Sequence, residues 1–236
     1  MPSKASTATR MGDMRAPLPE WPECILYGHQ GHCYGTPAPG IMATSTYGDG
    51  TMSKRALLVV DLQNDYFPDG KFPLVNIGPA LDNVVRVIAD ARARGDRIVH
   101  MRHEFPTADA PFFAPGSEGA QIHPRVEPAQ GEPVIVKNRI NAFLGTDLEQ
   151  VFDADGIEDV TVVGAMSHMC IDAATRAASD LGYRTTVVHD ACATRDLEFD
   201  GQVVPAAQVH KAYMSALAFA YAKVTTTEEY LAAPAA

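Results

Sequence analysis

The sequence predicts an α/β protein built on a parallel β-sheet with helices on both faces. Two observations lead there. Short runs of consecutive apolar residues recur along the chain, and stretches with helical apolar periodicity separate them. Unbroken apolar runs of that length mark strands covered on both faces. A helix between two such strands is the connection that parallel neighbours need.

The elements follow in order. Residues 56–60, all Ala, Leu or Val, form the first strand. A helix is expected over 79–94, with Pro79 in its first turn, a stripe of Leu81, Val84, Val85, Ile88 and Ala91, and Gly95 as its C-cap. Residues 97–101 read as the second strand, followed by a long proline-containing loop over 104–132. The third strand falls at 133–136, a short helix at 147–154 and the fourth strand at 160–163. A helix over 169–181, a strand over 184–188, a helix over 204–220 and a sixth strand at 222–225 complete the pattern. Residues 1–53 show neither periodicity and are rich in Pro, Gly, Ser and Thr. They are expected to be a disordered extension or an artefact of start-site choice, with the domain at 54–230 and a tail at 231–236. Cys24, His29, His32 and Cys33 in that extension are metal-ligand residue types, but their spacing is not that of a zinc site.

Composition narrows the function. The formal net charge of -10 argues against nucleic acid, which needs a basic face. No apolar run is long enough to span a bilayer, and no signal-peptide core precedes the domain, so a cytosolic protein without a membrane partner is expected. In that compartment Cys24, Cys33, Cys170 and Cys192 are expected to be reduced. A Gly-rich phosphate loop is absent after the first strand, where Gln63-Asn64-Asp65 stands, which disfavours a dinucleotide cofactor.

In parallel sheets of this type ligands bind beyond the carboxyl ends of the strands. The residues there are Asp61, His103, Lys137, the 164–170 loop and Asp190. Asp61 and Lys137 each end an apolar run, where a charge is costly unless paired. If their strands were adjacent, the two would form an ion pair, either structural or catalytic. Cys170 opens a helix directly after the fourth strand, where the macrodipole favours thiolate and free amide N–H groups can bind an oxyanion. Lys137 would then lower the thiol pKa, Asp61 would accept its proton, and Cys170 would attack a carbonyl. Cys192 reads as structural, and His168 as pointing toward substrate or a neighbouring helix.

Three motifs carry a family resemblance. They are Leu57-Leu58-Val59-Val60-Asp61-Leu62-Gln63-Asn64-Asp65-Tyr66-Phe67, then Val134-Ile135-Val136-Lys137 with Asn141-Ala142-Phe143, then Gly164-Ala165-Met166-Ser167-His168-Met169-Cys170-Ile171. Over residues 55–226 the chain resembles the isochorismatase-like cysteine hydrolases. The resemblance implies a three-layer α/β/α sandwich with a six-stranded parallel sheet, homo-oligomeric assembly, and Asp61, Lys137 and Cys170 as catalytic residues. It implies an oxyanion hole from the N–H groups of Met166 and Cys170, with a cis peptide at Ala165–Met166. Gln63, Phe67, His103, Asn141 and His168 are the residues it suggests for substrate contact. In the long loop Phe105, Phe112 and Phe113 are expected either to form pocket walls or to pack the loop or a subunit interface. Nicotinamidases of the family carry a metal-binding Asp-x-His that is missing here, so no metal and no other cofactor is expected. Asn141 stands where many relatives have Ser.

The retained cysteine favours an acyl-enzyme, and therefore a small amide, lactam or carbamoyl substrate. Streptothricin hydrolases, N-carbamoylsarcosine amidases and ureidoacrylate amidases are all similar in motif. Two other readings remain open: vinyl-ether hydrolysis with Asp61 as the acid, and a small-molecule binding protein without turnover.

Overall fold

The computed structural model describes residues 54–233. The expectations for the N-terminal extension, its Cys and His residues included, lie outside the described residues. The elements are β1 (Arg55–Val60), α1 (Ile77–Arg94), β2 (Arg97–His103), β3 (Val134–Lys137), α2 (Leu148–Ala154), β4 (Asp159–Ala165) and α3 (Asp172–Asp180). They continue with β5 (Arg184–Ala193), β6 (Leu197–Phe199), β7 (Gln202–Val204), α4 (Ala206–Ala220), β8 (Lys223–Thr225) and α5 (Thr227–Ala232).

Six strands form one sheet in the order β3-β2-β1-β4-β5-β8, and every pairing in it is parallel. Alternation along β1 divides the core into two layers. Leu57 and Val59 pack on one face with Ile77, Leu81, Val84 and Ile88 of α1. Ala56, Leu58 and Val60 pack on the other with Leu148 and Phe152 of α2, Ala174 of α3, and Met214 and Leu217 of α4. The three-layer α/β/α sandwich follows from strands apolar on both faces. Among the described residues no helix is long and apolar enough to cross a membrane.

The strand order places the site. From β1 the chain builds outward through β2 to β3, then returns to lay β4 on the other side of β1. The carboxyl ends of β1 and β4 therefore flank the switch point, where loops diverge and leave a crevice. Gly164 in β4 is required there. Its φ is +124°, and a Cβ at that position would collide with the Val60 carbonyl.

The structure corrects several local expectations. β3 is an edge strand, with Val134 and Val136 about 40 % exposed, so its apolar run does not reflect cover on both faces. Nor do the strands of Asp61 and Lys137 lie side by side, because β2 runs between them. α1 starts at Ile77, with Asn76 in the left-handed region before it, which makes Pro79 its third residue. Cys170 lies in a π-turn, Ser167–Ile171, that precedes α3, rather than in the first turn of an α-helix. β5 runs on to Ala193 past a register shift against β4. The antiparallel β6–β7 hairpin was not anticipated, nor was α5, whose capping box of Thr226 and Glu229 carries the domain past residue 230.

Candidate active site

Three side chains from different strand ends meet beneath a pocket of about 420 Å³. Lys137 Nζ lies 2.8 Å from Asp61 Oδ2 and 3.2 Å from Cys170 Sγ. It also lies 3.1 Å from His103 Nδ1 and donates to the Arg139 carbonyl at 3.2 Å. The Asp61 and Lys137 side chains are wholly buried. Strands sit about 4.8 Å apart, so a side chain on β3 must cross roughly 10 Å to meet one on β1. Lysine has the length for this, and Asp61 shortens the gap by turning. Its φ of 50° takes the chain out of β1 and is a conformation that aspartate tolerates better than most residues.

The electrostatics follow from burial and pairing. Burial alone would depress the Lys137 pKa, but Asp61 and Cys170 outweigh it and the ammonium is held above its ordinary value. Burial pushes the Cys170 thiol far up, the Asp61 carboxylate pushes it further, and Lys137 opposes both without prevailing. Against the expectation of a thiolate favoured by a helix end, the thiol is held above its ordinary pKa beside the Asp61–Lys137 pair. His103 is kept below the usual histidine range, first by burial and then by Lys137. Its neutral ring can therefore accept from Nζ through Nδ1.

The turn that carries Cys170 is pinned from both sides. The Ala165–Met166 peptide is cis. The Met166 carbonyl accepts from the N–H groups of Met169 and Ile171 at 3.0 and 3.2 Å. Ser167 Oγ donates to the Ala193 carbonyl at 3.2 Å and lies 2.8 Å from His210 Nδ1. His168 Nδ1 lies 2.6 Å from Thr194 Oγ1, which holds its ring at the pocket wall. Burial lowers its pKa, and nearby Arg195 lowers it further.

Of the residues suggested for substrate contact, His103, His168, Phe105 and Phe112 line the pocket, together with Met166 and Cys170. Gln63 does not. Its fully buried amide donates to the His103 and Ala120 carbonyls and accepts from His103 N–H, all at 2.8 Å, so it clamps β2 and has no capacity left for substrate. Phe67 packs against His123 with the rings tilted by 35° and their centroids 4.1 Å apart, and does not line the pocket. Asn141 Oδ1 accepts from Phe143 N–H at 2.9 Å and shapes the loop after β3. Phe113 is fully buried behind the wall, against Tyr66 at 4.6 Å. Cys192 is buried on β5, donates to the Val188 carbonyl and is pushed up to about 12 by burial, far from thiolate character.

Sequence reasoning missed Tyr66, Phe72, Ile140, Met169 and the segment Arg195–Glu198 as pocket walls. It also missed Asp65, whose carboxylate accepts from Phe113 N–H at 2.7 Å and from Lys71 N–H at 3.1 Å and so ties the aromatic loop to the end of β1. Among the described residues no group of three or more His, Cys, Asp or Glu side chains is placed to hold a metal ion.

Fold and site together define an α/β protein with a thiol, an ammonium and a carboxylate gathered at the switch point of a parallel sheet. The chain belongs to the isochorismatase family of hydrolases: the family model for the Isochorismatase domain matches residues 55–229. It is 46 % identical over 176 residues to the isochorismatase family protein YddQ of Bacillus subtilis (strain 168), a match covering 75 % of this chain and 98 % of YddQ. Streptothricin hydrolase of Streptomyces noursei is 35 % identical over 161 residues, covering 67 % of this chain and 57 % of that enzyme. A crystal structure of a protein from Oleispira antarctica, described as an isochorismatase hydrolase, superimposes with a TM-score of 0.74 at 54 % identity, covering 76 % and 96 % of the two chains.

Proposed function

We propose that this chain hydrolyses a carbon–nitrogen bond of a small amide, lactam or carbamoyl compound, with Cys170 as nucleophile, Asp61 as general base and acid, and Lys137 as electrostatic support. The observation that carries the reading is the position of Lys137 Nζ, 2.8 Å from the Asp61 carboxylate and 3.2 Å from Cys170 Sγ at the pocket floor. An ammonium shared by an acid and a sulfur is arranged to stabilise negative charge as it passes from one to the other.

The steps follow from the arrangement of the three groups. The Cys170 thiol is held above its ordinary pKa, so its proton moves to Asp61 as Sγ attacks the carbonyl carbon. The carbonyl oxygen takes up the electron pair and is held by the N–H groups of Met166 and Cys170. Collapse breaks the C–N bond, Asp61 returns the proton to the departing nitrogen, and a thioester remains on Cys170. Water then attacks the thioester carbon, giving its proton to Asp61. The thiolate leaves, is reprotonated, and the acid product departs. His103, neutral and fixed by Lys137, and His168, fixed by Thr194, position the substrate.

Ammonia or amine release, screened across small amides, lactams and carbamoyl compounds, tests the reading. Turnover by the native protein and none by Cys170→Ala is the expected result. Turnover of a vinyl ether that survives in Cys170→Ala but not in Asp61→Asn would favour ether hydrolysis instead.

A further inference from the structure

Arg195 differs from Lys137, the cation of the catalytic cluster. Lys137 is neutralised by Asp61, whereas among the described residues Arg195 forms no ion pair. Among the described residues its guanidinium makes one hydrogen bond, to the Asp196 carbonyl, long at 3.4 Å. The guanidinium lies 4.1 Å above the Phe72 ring, which is itself stacked on Phe112 at 4.2 Å and 18°. This contact seats the cation on the aromatic wall of the pocket. Two carboxylates share the pocket mouth. Asp196 is occupied, accepting from Ala206 N–H at 2.7 Å, and Glu198 is exposed on the hairpin. A planar guanidinium without a carboxylate partner suits bidentate recognition of one.

We propose that Arg195 anchors a carboxylate of the substrate, so that the class hydrolysed is the small amide bearing a carboxylate remote from the scissile carbonyl. The proposal rests on the reading of Cys170 as nucleophile. Cys170, Phe72, Phe105, Phe112 and Arg195 line the same pocket, so a carbonyl at the thiol and an anionic end at Arg195 belong to one ligand. Apolar walls suit a short methylene linker, and the charge fixes which end points inward. Glu198 at the same mouth disfavours a second negative charge.

Protection of Cys170 from iodoacetamide tests this without knowledge of the natural substrate. The alkylation rate is read by peptide mass at pH 9, against rising concentrations of malonamate, succinamate, glutaramate and adipamate. Each is compared with the neutral fatty amide of the same chain length. At least one carboxylate member is expected to protect at a concentration about 10-fold or more below its neutral counterpart, the worth of a charge-assisted bidentate contact. In Arg195→Ala the gap should collapse to less than about 3-fold, Arg195→Lys should keep part of it, and Glu198→Gln should widen it. Because the gap is taken between two ligands on one variant, a general change in Cys170 reactivity cancels. Equal protection by both series, or a gap that survives Arg195→Ala, overturns the proposal and leaves the nucleophile reading standing. A Cys170 that iodoacetamide never labels overturns that reading, and the proposal falls with it.

Discussion

Replacing Lys137 by Met removes the charge while keeping most of the stem. Asp61 is then left wholly buried opposite a thiol and a neutral imidazole. At 2.8 Å and an effective dielectric of about 20 the pair attracts by about 6 kcal/mol. Desolvating both charges offsets much of this in the native protein, but the variant keeps the cost of burying Asp61 without the compensation. Breaking a buried pair on one side costs about 3–5 kcal/mol. For a domain of this size that lowers Tm by roughly 10 °C. The double variant Asp61→Asn, Lys137→Met carries no buried charge and should regain most of the loss. Urea unfolding of the native protein, both single variants and the double variant, at pH 8, closes the cycle. A Lys137→Met variant within about 1 kcal/mol of the native protein, or a double variant as weak as the worse single one, would show that the charges are not buried together as described.

Five further outcomes follow. Because Asp61 raises the Cys170 pKa, Asp61→Asn should lower it, so this variant should react with iodoacetamide at pH 8 faster than the native protein although its hydrolysis is lost. Native Cys170 itself should show an alkylation rate still climbing at pH 9, with no plateau near neutrality. Burial acts to raise the Glu132 pKa, but the Arg92 fork, Ala129 N–H and His100 overrule it and bring the value to about 2, below 4.5. Its stabilisation is complete above the unfolded value and lost as pH falls through about 2. Glu132→Gln should therefore cost about 1–3 kcal/mol at pH 7 in urea titrations, and the difference should vanish near pH 2. Gly164→Ala, which meets the Val60 carbonyl at a φ of +124°, should cost more than about 3 kcal/mol by the same titrations. Gly156→Ala, at +62° with open space around it, should cost about 1 kcal/mol.

The legible parts of the molecule are those set by local pattern. β1 and β4 are central strands, so their apolar runs state their position directly. Asp61, Lys137 and Cys170 stood out because each breaks or ends such a run. What failed was reading position in the sheet from the run alone. β3 is as apolar as β1 yet lies at the edge, and a single sequence does not say which strands are neighbours. Gln63 looked available for substrate because its partners, His103 and Ala120, are distant in sequence. The direction of the thiol's pKa shift was read the other way for a related reason. The macrodipole is a local feature, whereas full burial beside Asp61 is a product of the fold. The β6–β7 hairpin could have been found. Asp200-Gly201 separates its strands, both residues have positive φ, and that pair is a strong signal for a two-residue turn. Recognising it would have placed Arg195 to Glu198 on a folded wall instead of in a loop.

The central claim is that sulfur becomes covalently bound to the acyl group during turnover. Acid quench of the native protein at saturating substrate, followed by mass analysis of the Cys170 peptide, addresses it directly. An adduct equal in mass to the acyl fragment, absent in Cys170→Ala along with product formation, is the result expected. Undiminished product formation by Cys170→Ala, with an unmodified peptide throughout native turnover, would contradict the account.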